Sequence, residues 1–248
     1  MIRYRRNDSE ARVLFANRRA AGKRLIEPLS GYRGRNALVL GIPRGGVPVA
    51  DEIAQGLAAE LDIVVARKVG APNQPELAIG AVTANGGRFF NEELIQELDI
   101  SDTYLERAVA REVTEARRRE ASFRTGRPLS LIKNRVVILV DDGLATGATM
   151  RAAVRSIRTH YPAKLVVAVP VGSEQAVEGL SEEVDEVVCL YRPDPFYAVG
   201  PYYADFAPVA DAEVQQILRE GWARRTDTAG LADNADPDLG GKTALKRE

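Results

Sequence analysis

The sequence has little of several things that would point to particular functions. It contains one cysteine, Cys189, and one histidine, His160, so no internal disulfide can form and a zinc site of ordinary ligand number is excluded. A G-x-S-x-G turn is also missing, which with a single histidine argues against a Ser-His-Asp hydrolase. No segment approaches the roughly 20 consecutive apolar residues of a membrane helix. The sequence therefore predicts a cytoplasmic protein that has no membrane partner.

Charge of one sign is not in excess either. The 34 Lys and Arg residues are offset by 35 Asp and Glu residues, so no global field favours DNA or RNA, and nucleic acid is not an expected partner. Apolar residues make up 45% of the 248 positions, enough for a sizeable core. We predict one domain over residues 1–222. A disordered tail is expected over 223–248, where Asp, Gly, Ala and Thr occur without periodicity.

Short apolar runs alternate with helical patterns along the chain, which is typical of a parallel α/β sheet. Several runs are continuously apolar, so helices should cover both faces of the sheet. The predicted strands are 36–42, 61–67, 135–141, 164–171 and 186–191, and the predicted helices are 9–27, 47–60, 149–160, 173–180 and one that begins near Asp211.

Two further patterns follow the second predicted strand. Asn85-Gly86 lies between apolar runs, which is a strong signal for a β-hairpin, here at one edge of the sheet. The charged stretch after it predicts a long helix, in which Thr103 and Glu106 are spaced as a capping box.

An apolar run ends in two adjacent acids in "VVILVDDGLATGATM", residues 136–150. The loop after it lies between a predicted strand and a predicted helix, at the sheet edge where α/β proteins bind ligands. Backbone N–H groups at the helix N-terminus, with the hydroxyls of Thr146 and Thr149, suit a phosphate monoester. The carboxylates of Asp141 and Asp142 suit vicinal sugar hydroxyls or Mg²⁺. Together they predict a ribose 5-phosphate site, whereas an Asp pair alone is more often a solvated strand end.

This string resembles the 5-phosphoribosyl 1-pyrophosphate (PRPP) signature of type I phosphoribosyltransferases, apart from Gly143, where that family usually has an aliphatic residue. The resemblance extends over about 36–206 and is close to bacterial phosphoribosyltransferases of unassigned substrate. It implies a three-layer α/β fold with a parallel sheet, an edge hairpin, a flexible loop that closes over PRPP, and a small C-terminal hood at about 192–206.

The earlier turn "GIPRGG" fits the same ligand, because bare backbone and a guanidinium can both approach pyrophosphate oxygens. On its own the motif is weak, and a simple turn is the better interpretation. The resemblance implies a non-proline cis peptide in this turn and makes Arg67 and Lys68 the cations at the end of the second strand. The implied PRPP site consists of Arg44, Gly45, Gly46, Arg67, Lys68, Asp141, Asp142, Ala145, Thr146, Gly147, Ala148 and Thr149.

The remaining implied roles concern chemistry and the acceptor. Arg44 and Lys68 would stabilise departing pyrophosphate, and Glu76 would replace an acid that relatives carry where this chain has Ala145. In the hood, Phe196 or Tyr197 would stack on a base, although these aromatics would also fill a small C-terminal core. The implied Mg²⁺ ligands are Asp141, Asp142 and Asp205.

Two functions follow from the resemblance. The first is Mg²⁺-dependent transfer of the phosphoribosyl group from PRPP to a small nitrogenous base, purine-like by the hood, with release of pyrophosphate. The second is a regulator that senses PRPP or a nucleotide in the same pocket, because fold does not fix function. The expected partners are PRPP and a base, and a homodimer is allowed.

Overall fold

A computed structural model describes residues 2–5 and 13–232, with side chains described for 13–224. The strands are β1 (Ile2–Arg5), β2 (Leu38–Gly41), β3 (Glu60–Ile63), β4 (Ala66–Ala71), β5 (Gln74–Thr83), β6 (Arg88–Phe90), β7 (Val136–Val140), β8 (Lys164–Val171) and β9 (Glu186–Tyr191). The helices are α1 (Arg18–Leu25), α2 (Gly46–Leu57), α3 (Glu92–Glu97), α4 (Asp102–Arg124), α5 (Ala148–Arg158), α6 (Glu174–Ser181) and α7 (Asp211–Ala232).

The main sheet confirms the predicted parallel α/β architecture. Its strand order is β1-β9-β8-β7-β2-β3, and all neighbours are parallel. Four predicted strands appear within a few residues of their expected bounds. The edge strand β1 was not predicted, because its Ile-Arg-Tyr-Arg sequence has no continuous apolar run.

Both faces of the sheet are covered, as the continuously apolar strands predicted. Along β7, Ile138 and Val140 face one core with α1, α2 and α7, while Val137 and Leu139 face a second core with α5 and α6. Successive residues of a strand point to opposite faces, so a run in which every residue is apolar needs two covering layers. Cys189 is fully buried in the second core.

The predicted hairpin at 85–86 is confirmed, but it belongs to a second sheet. Strands β4, β5 and β6 form an antiparallel sheet in that order, and this sheet packs against α4 on one side and α5 on the other. The predicted strand 61–67 is therefore wrong in its extent, because it divides into β3 of the main sheet and the beginning of β4.

The resemblance places the flexible loop in the stretch after Lys68, which contains Gly70, Pro72 and Pro75, and in the structure this stretch forms a β-hairpin. Strands β4 and β5 pair from Ala66↔Thr83 to Ala71↔Gln74. Asn73 makes the turn with a φ of 60°, a conformation that asparagine tolerates. A side chain at Gly70 would lie 2.5 Å from the Pro75 carbonyl oxygen. Glycine and proline, interpreted from the sequence as marks of a loop, here permit a tight strand pair.

Three helix boundaries also differ from the predictions. Helix α1 begins at Arg18, capped by the side chain of Asn17, and not near residue 9; residues 6–12 lie outside the described part. Ser101, and not Thr103, caps α4. Helix α7 continues to Ala232 and so overlaps residues 223–232 of the predicted tail, and the rest of that prediction lies outside the described residues. None of the helices in the described ranges has the length and apolar character needed to cross a membrane.

Candidate functional site

The loops that follow β2 and β7 meet at the carboxyl edge of the main sheet, because these strands are neighbours. The Ile42 amide donates to the Val140 carbonyl at 2.9 Å, and the Pro43–Arg44 peptide is cis, as the resemblance implies. A side chain at Gly45 would overlap the Asp142 carboxylate, and one at Gly46 would lie 2.6 Å from the Val140 oxygen. The two glycines are therefore required for the loops to pack together, a reason that the sequence did not reveal.

The acid pair is half-buried at this junction. Asp141 Oδ1 accepts from the Asp142 amide at 2.9 Å, Asp142 Oδ2 accepts from Arg18 Nε at 2.7 Å, and the Tyr203 hydroxyl donates to the Asp142 carbonyl at 2.5 Å. Burial, and then the charge of Asp142, raise the pKa of Asp141 well above its usual range. Burial also raises the pKa of Asp142, against the opposing effect of Arg18. An added cation or hydroxyl donor would stabilise both carboxylates.

The loop after the acids ends at the N-terminus of α5, where the phosphate cradle is predicted. Gly147 caps this 11-residue helix with a φ of 76°, a region that glycine adopts without cost. Ser173 Oγ donates to the Ala145 carbonyl at 2.6 Å and holds the loop against α6. Ala145 and Thr146 are exposed, whereas Gly147 and Ala148 are buried. The first amides of α5 and the Thr146 hydroxyl suit an incoming phosphate.

A cavity of about 530 Å³ opens beside the acid pair. It brings together residues from three separate predicted segments: Lys68 of β4, Glu76 of β5, and Asp141 with Thr149. The positive charge of Lys68 opposes the rise in the pKa of Asp141. The hairpin, Asp141 and the first turn of α5 therefore face one space.

Two of the three predicted pyrophosphate cations point elsewhere. Arg44 is exposed and its Nη1 lies 3.5 Å from Asp211 Oδ1 of α7. Arg67 lines the cavity, but its Nε and Nη2 donate to Glu112 Oε2 of α4 at 3.0 and 2.8 Å. Lys68 is the predicted cation that lines the cavity without a hydrogen bond or ion pair to another described residue.

The hood residues are not brought to the cavity. Phe196 stacks on Tyr202 with ring centroids 5.5 Å apart, so it fills a small C-terminal core, and Tyr197 is 86% exposed. Asp205 is exposed and caps the Ala207 amide at 3.0 Å. Within the part of the chain that the structure describes, no three His, Cys, Asp or Glu side chains form a metal-binding group. The predicted ligand set of Asp205 with the acid pair is thus not assembled.

Two site residues were missed from the sequence. Arg18, in the first turn of α1, pairs with Asp142, and Glu112, buried on α4, joins Arg67 and Arg111. Asn17 signals a helix cap, but nothing in the sequence says which side chain of that helix reaches residue 142. Such pairings depend on distant elements and leave no local pattern.

The phosphoribosyl transferase domain family matches residues 10–206, and this range contains both loops and the cavity. The chain belongs to the phosphoribosyl transferase domain family. Two Mycobacterium tuberculosis proteins, from strains CDC 1551 / Oshkosh and ATCC 25618 / H37Rv, are provisionally named phosphoribosyl transferases, and each is 39% identical over 226 residues. The match covers 91% of this chain and 51% of each relative, so the chain spans about half the length of the curated relatives it matches.

A solved structure supports the fold of this phosphoribosyl transferase domain. The crystal structure of the protein TT1426 from Thermus thermophilus is 47% identical in sequence and has a TM-score of 0.71. The match covers 84% of this chain and 98% of that one. The predicted type I phosphoribosyltransferase fold is confirmed.

The one departure from the family signature has a structural counterpart in this phosphoribosyl transferase domain. A side chain at Gly143 would lie 2.5 Å from Val199 Cγ1 and 2.6 Å from its Cγ2. Val199 of the hood therefore occupies the space into which an aliphatic residue at 143 would project. The hood therefore packs directly on the loop that follows β7, here called the PRPP-type loop (residues 141–147).

Replacing Gly147 by valine should remove the phosphate site of this phosphoribosyl transferase domain. A β-branched residue at a φ of 76° costs about 1–2 kcal/mol and will shift the cradle amides. We expect ribose 5-phosphate to raise the melting temperature of the parent but not of Gly147→Val. Gly126→Val is the matched control, because Gly126 has a φ of 86° and open space around it. Equal ligand-induced shifts in both variants would contradict the cradle.

Proposed function

We propose that this domain transfers the 5-phosphoribosyl group of PRPP to a nitrogen of a base and releases pyrophosphate. The observation that carries the proposal is that Asp141 of the acid pair, Lys68 and Thr149, in the first turn of α5, line one cavity. Hydroxyl-binding acids, a phosphate-binding helix end and a cation for pyrophosphate match the three functional parts of PRPP.

Each end of the substrate has a binding group in this proposal. The amides of Gly147 and Ala148, with the hydroxyls of Thr146 and Thr149, would hold the 5-phosphate. Asp141 would accept hydrogen bonds from the ribose hydroxyls at the cavity. Lys68 would then lie on the side of the pyrophosphate, which carries the largest negative charge of the ligand.

The acid pair also fits Mg²⁺ as part of this proposal. Two half-buried carboxylates with raised pKa values favour a cation beside them. Mg²⁺ is usually held by one or two carboxylates together with substrate phosphates and water, so Asp141 and Asp142 would suffice without Asp205. When bound, the ion would neutralise charge on the pyrophosphate oxygens.

The reaction needs no covalent attachment to the protein. The bond from ribose C1 to the pyrophosphate oxygen breaks with its electron pair on pyrophosphate, a bond forms from C1 to the base nitrogen, and the base loses a proton. Lys68 would stabilise the charge that grows on the leaving group. Glu76 lines the same cavity on β5 and would accept the proton, in place of the acid that relatives carry at the position of Ala145.

We propose that the acceptor is a flat nitrogenous base of the purine type, which would bind to the aromatic side chains of the hood. Tyr197 is exposed and would meet a base only if the hood bends toward the cavity, since Phe196 already stacks on Tyr202.

A nucleotide or PRPP sensor is the second candidate, and one observation favours it. Arg44 pairs with Asp211 and Arg67 with Glu112, so two cations expected at pyrophosphate are engaged elsewhere. A sensor that binds only a monophosphate would need neither.

A pyrophosphate-release assay with PRPP, Mg²⁺ and a panel of purine and pyrimidine bases separates the two functions. A transferase will release pyrophosphate with one base or a few related bases and none without a base. If no base supports release, but a nucleoside monophosphate binds tightly by calorimetry, the transferase is rejected in favour of the sensor.

A further inference from the structure

Arg18 lies between the acid pair and the hood. Its Nε donates to Asp142 Oδ2 at 2.7 Å, and its Nη1 donates to the Ala207 carbonyl at 2.8 Å. Its guanidinium carbon lies 3.9 Å from the centre of the Phe206 ring, within cation–π range. The Arg18 side chain is only 12% exposed. Three contacts on two sides therefore fix this guanidinium in one position.

Asp142 is correspondingly fixed at both ends. Arg18 holds its carboxylate, and the Tyr203 hydroxyl holds its carbonyl. A guanidinium fork can hold an acceptor on one side and a second acceptor on another, which a lysine ammonium on a flexible stem does less well. The orientation of the Asp142 carboxylate is thus set by residues outside the loop that carries it.

The two acids are consequently not equivalent. Asp141 lines the cavity, whereas Asp142 is not among the residues that line it and one of its oxygens is occupied by Arg18. Both acids would otherwise repel each other across one peptide bond. A cation that keeps Asp142 turned to one side leaves Asp141 free to face the ligand.

We infer that Arg18 is a positioning residue for the ribose of PRPP, acting through Asp142, and that it ties the acid pair to the hood. The inference rests on the proposed function, because it assumes that the acid pair binds a phosphoribosyl ligand. It adds a residue from α1, 124 positions away from Asp142 along the chain, to a site otherwise built from loops of the sheet.

Loss of Arg18 should weaken binding because the Asp142 carboxylate loses the charge-assisted hydrogen bond that orients it. We expect Arg18→Met to reduce the affinity for ribose 5-phosphate and for PRPP roughly tenfold or more. Arg18→Lys keeps the charge without the fork and should fall between the parent and Arg18→Met.

Calorimetric titration of both ligands, with Mg²⁺ present, measures this effect without requiring turnover. Arg19→Met is the matched control, since Arg19 follows Arg18 on α1 but pairs with Asp51 and Glu52. It removes an ion pair from the same helix and should leave both affinities within about twofold of the parent. If Arg18→Met and Arg19→Met bind alike, the inference is overturned.

A double-mutant cycle tests whether Arg18 acts through Asp142. In an Asp142→Asn background we expect Arg18→Met to cost little further affinity, because the ion pair is already lost. Full additivity of the two changes would mean that Arg18 acts independently of Asp142 and would overturn the inference. A destabilised fold lowers melting temperature in both backgrounds and cannot produce this non-additivity in binding.

The parent protein distinguishes this inference from the proposed function. A parent that binds neither ribose 5-phosphate nor PRPP overturns both. When the parent binds and Arg18→Met binds equally well, only the role of Arg18 falls, and the transferase and its acid pair remain.

Discussion

Replacing Asp141 and Asp142 together by asparagine will leave a folded domain that has lost most of its affinity for PRPP. In the proposed site Asp141 would lose its charge-assisted hydrogen bonds to ribose and both acids would lose their hold on Mg²⁺, and with each lost charge-assisted interaction worth about 1.5–3 kcal/mol we expect a loss of at least roughly a hundredfold. At position 141 the side-chain oxygen of asparagine can still accept the hydrogen bond that the backbone N–H of residue 142 donates to Asp141 Oδ1 in the parent. The loop should therefore keep its conformation.

The same variant should be more stable than the parent without ligand. A carboxyl whose pKa is raised in the folded protein keeps a proton that the unfolded chain has released, so its contribution to stability is lost as the pH rises through the raised pKa. At neutral pH the buried acid pair is therefore a cost to the folded state. Asparagine removes this cost, and the difference in melting temperature from the parent should grow as pH rises from about 4.

Calorimetry and thermal unfolding on one preparation check both effects. Asp99→Asn with Asp102→Asn is the control, because both residues are exposed and Asp99 has a left-handed φ of 49° that asparagine also adopts. This control should retain the PRPP affinity of the parent. A folded acid-pair variant with unchanged PRPP affinity would refute the assignment of the ribose site.

Replacing Arg44 and Lys68 by alanine will reduce turnover far more than it weakens binding of a nucleoside monophosphate. The monophosphate lacks pyrophosphate, so these cations contribute little to its affinity. Charge on the leaving group grows in the transition state, and a group that stabilises it lowers the barrier beyond its effect on ground-state binding. A loss of about 100-fold or more in kcat/KM is expected, by analogy with removal of other transition-state donors.

The single variants divide this effect between the two residues. Lys68 lines the cavity, whereas Arg44 lies 3.5 Å from Asp211 and is exposed, so Lys68→Ala should account for most of the loss. Pyrophosphate release and monophosphate affinity are measured in the same preparations. Equal losses in both quantities would show that Lys68 binds the nucleotide itself and has no special role at pyrophosphate.

The PRPP-type loop and the main sheet could be predicted because their signals are local. Continuous apolar runs specify strands that are buried on both faces, and the acids, Gly147 and the threonines lie within one strand-loop-helix segment. The family matched over residues 10–206 agrees with that interpretation. Neighbouring residues in the chain stay neighbours in space, so such a motif carries its own geometry.

Other interpretations differ from the structure because the sequence shows which conformations a residue can adopt but not which residues will pack against it. The Gly- and Pro-containing stretch after Lys68 was expected to be a flexible loop, yet it forms β4 and β5, since pairing satisfies the backbone hydrogen bonds. For Phe196 the sequence left open base stacking or a place in a small C-terminal core, and in the structure it stacks on Tyr202. In both places a partner brought by the fold decided the outcome.

By itself the sequence determined the layered α/β sheet, the position of the acid pair at the end of β7, and the glycine cap of α5, because each depends on residues close in the chain. Only the tertiary structure decided that Glu112 holds Arg67, that Asp211 faces Arg44, that Val199 fills the space beside Gly143, and that Arg18 holds Asp142. Charged and polar side chains reach across about 6 Å and can pair with many candidates of opposite charge. The choice among them is made by how helices pack on the sheet, which no local pattern encodes.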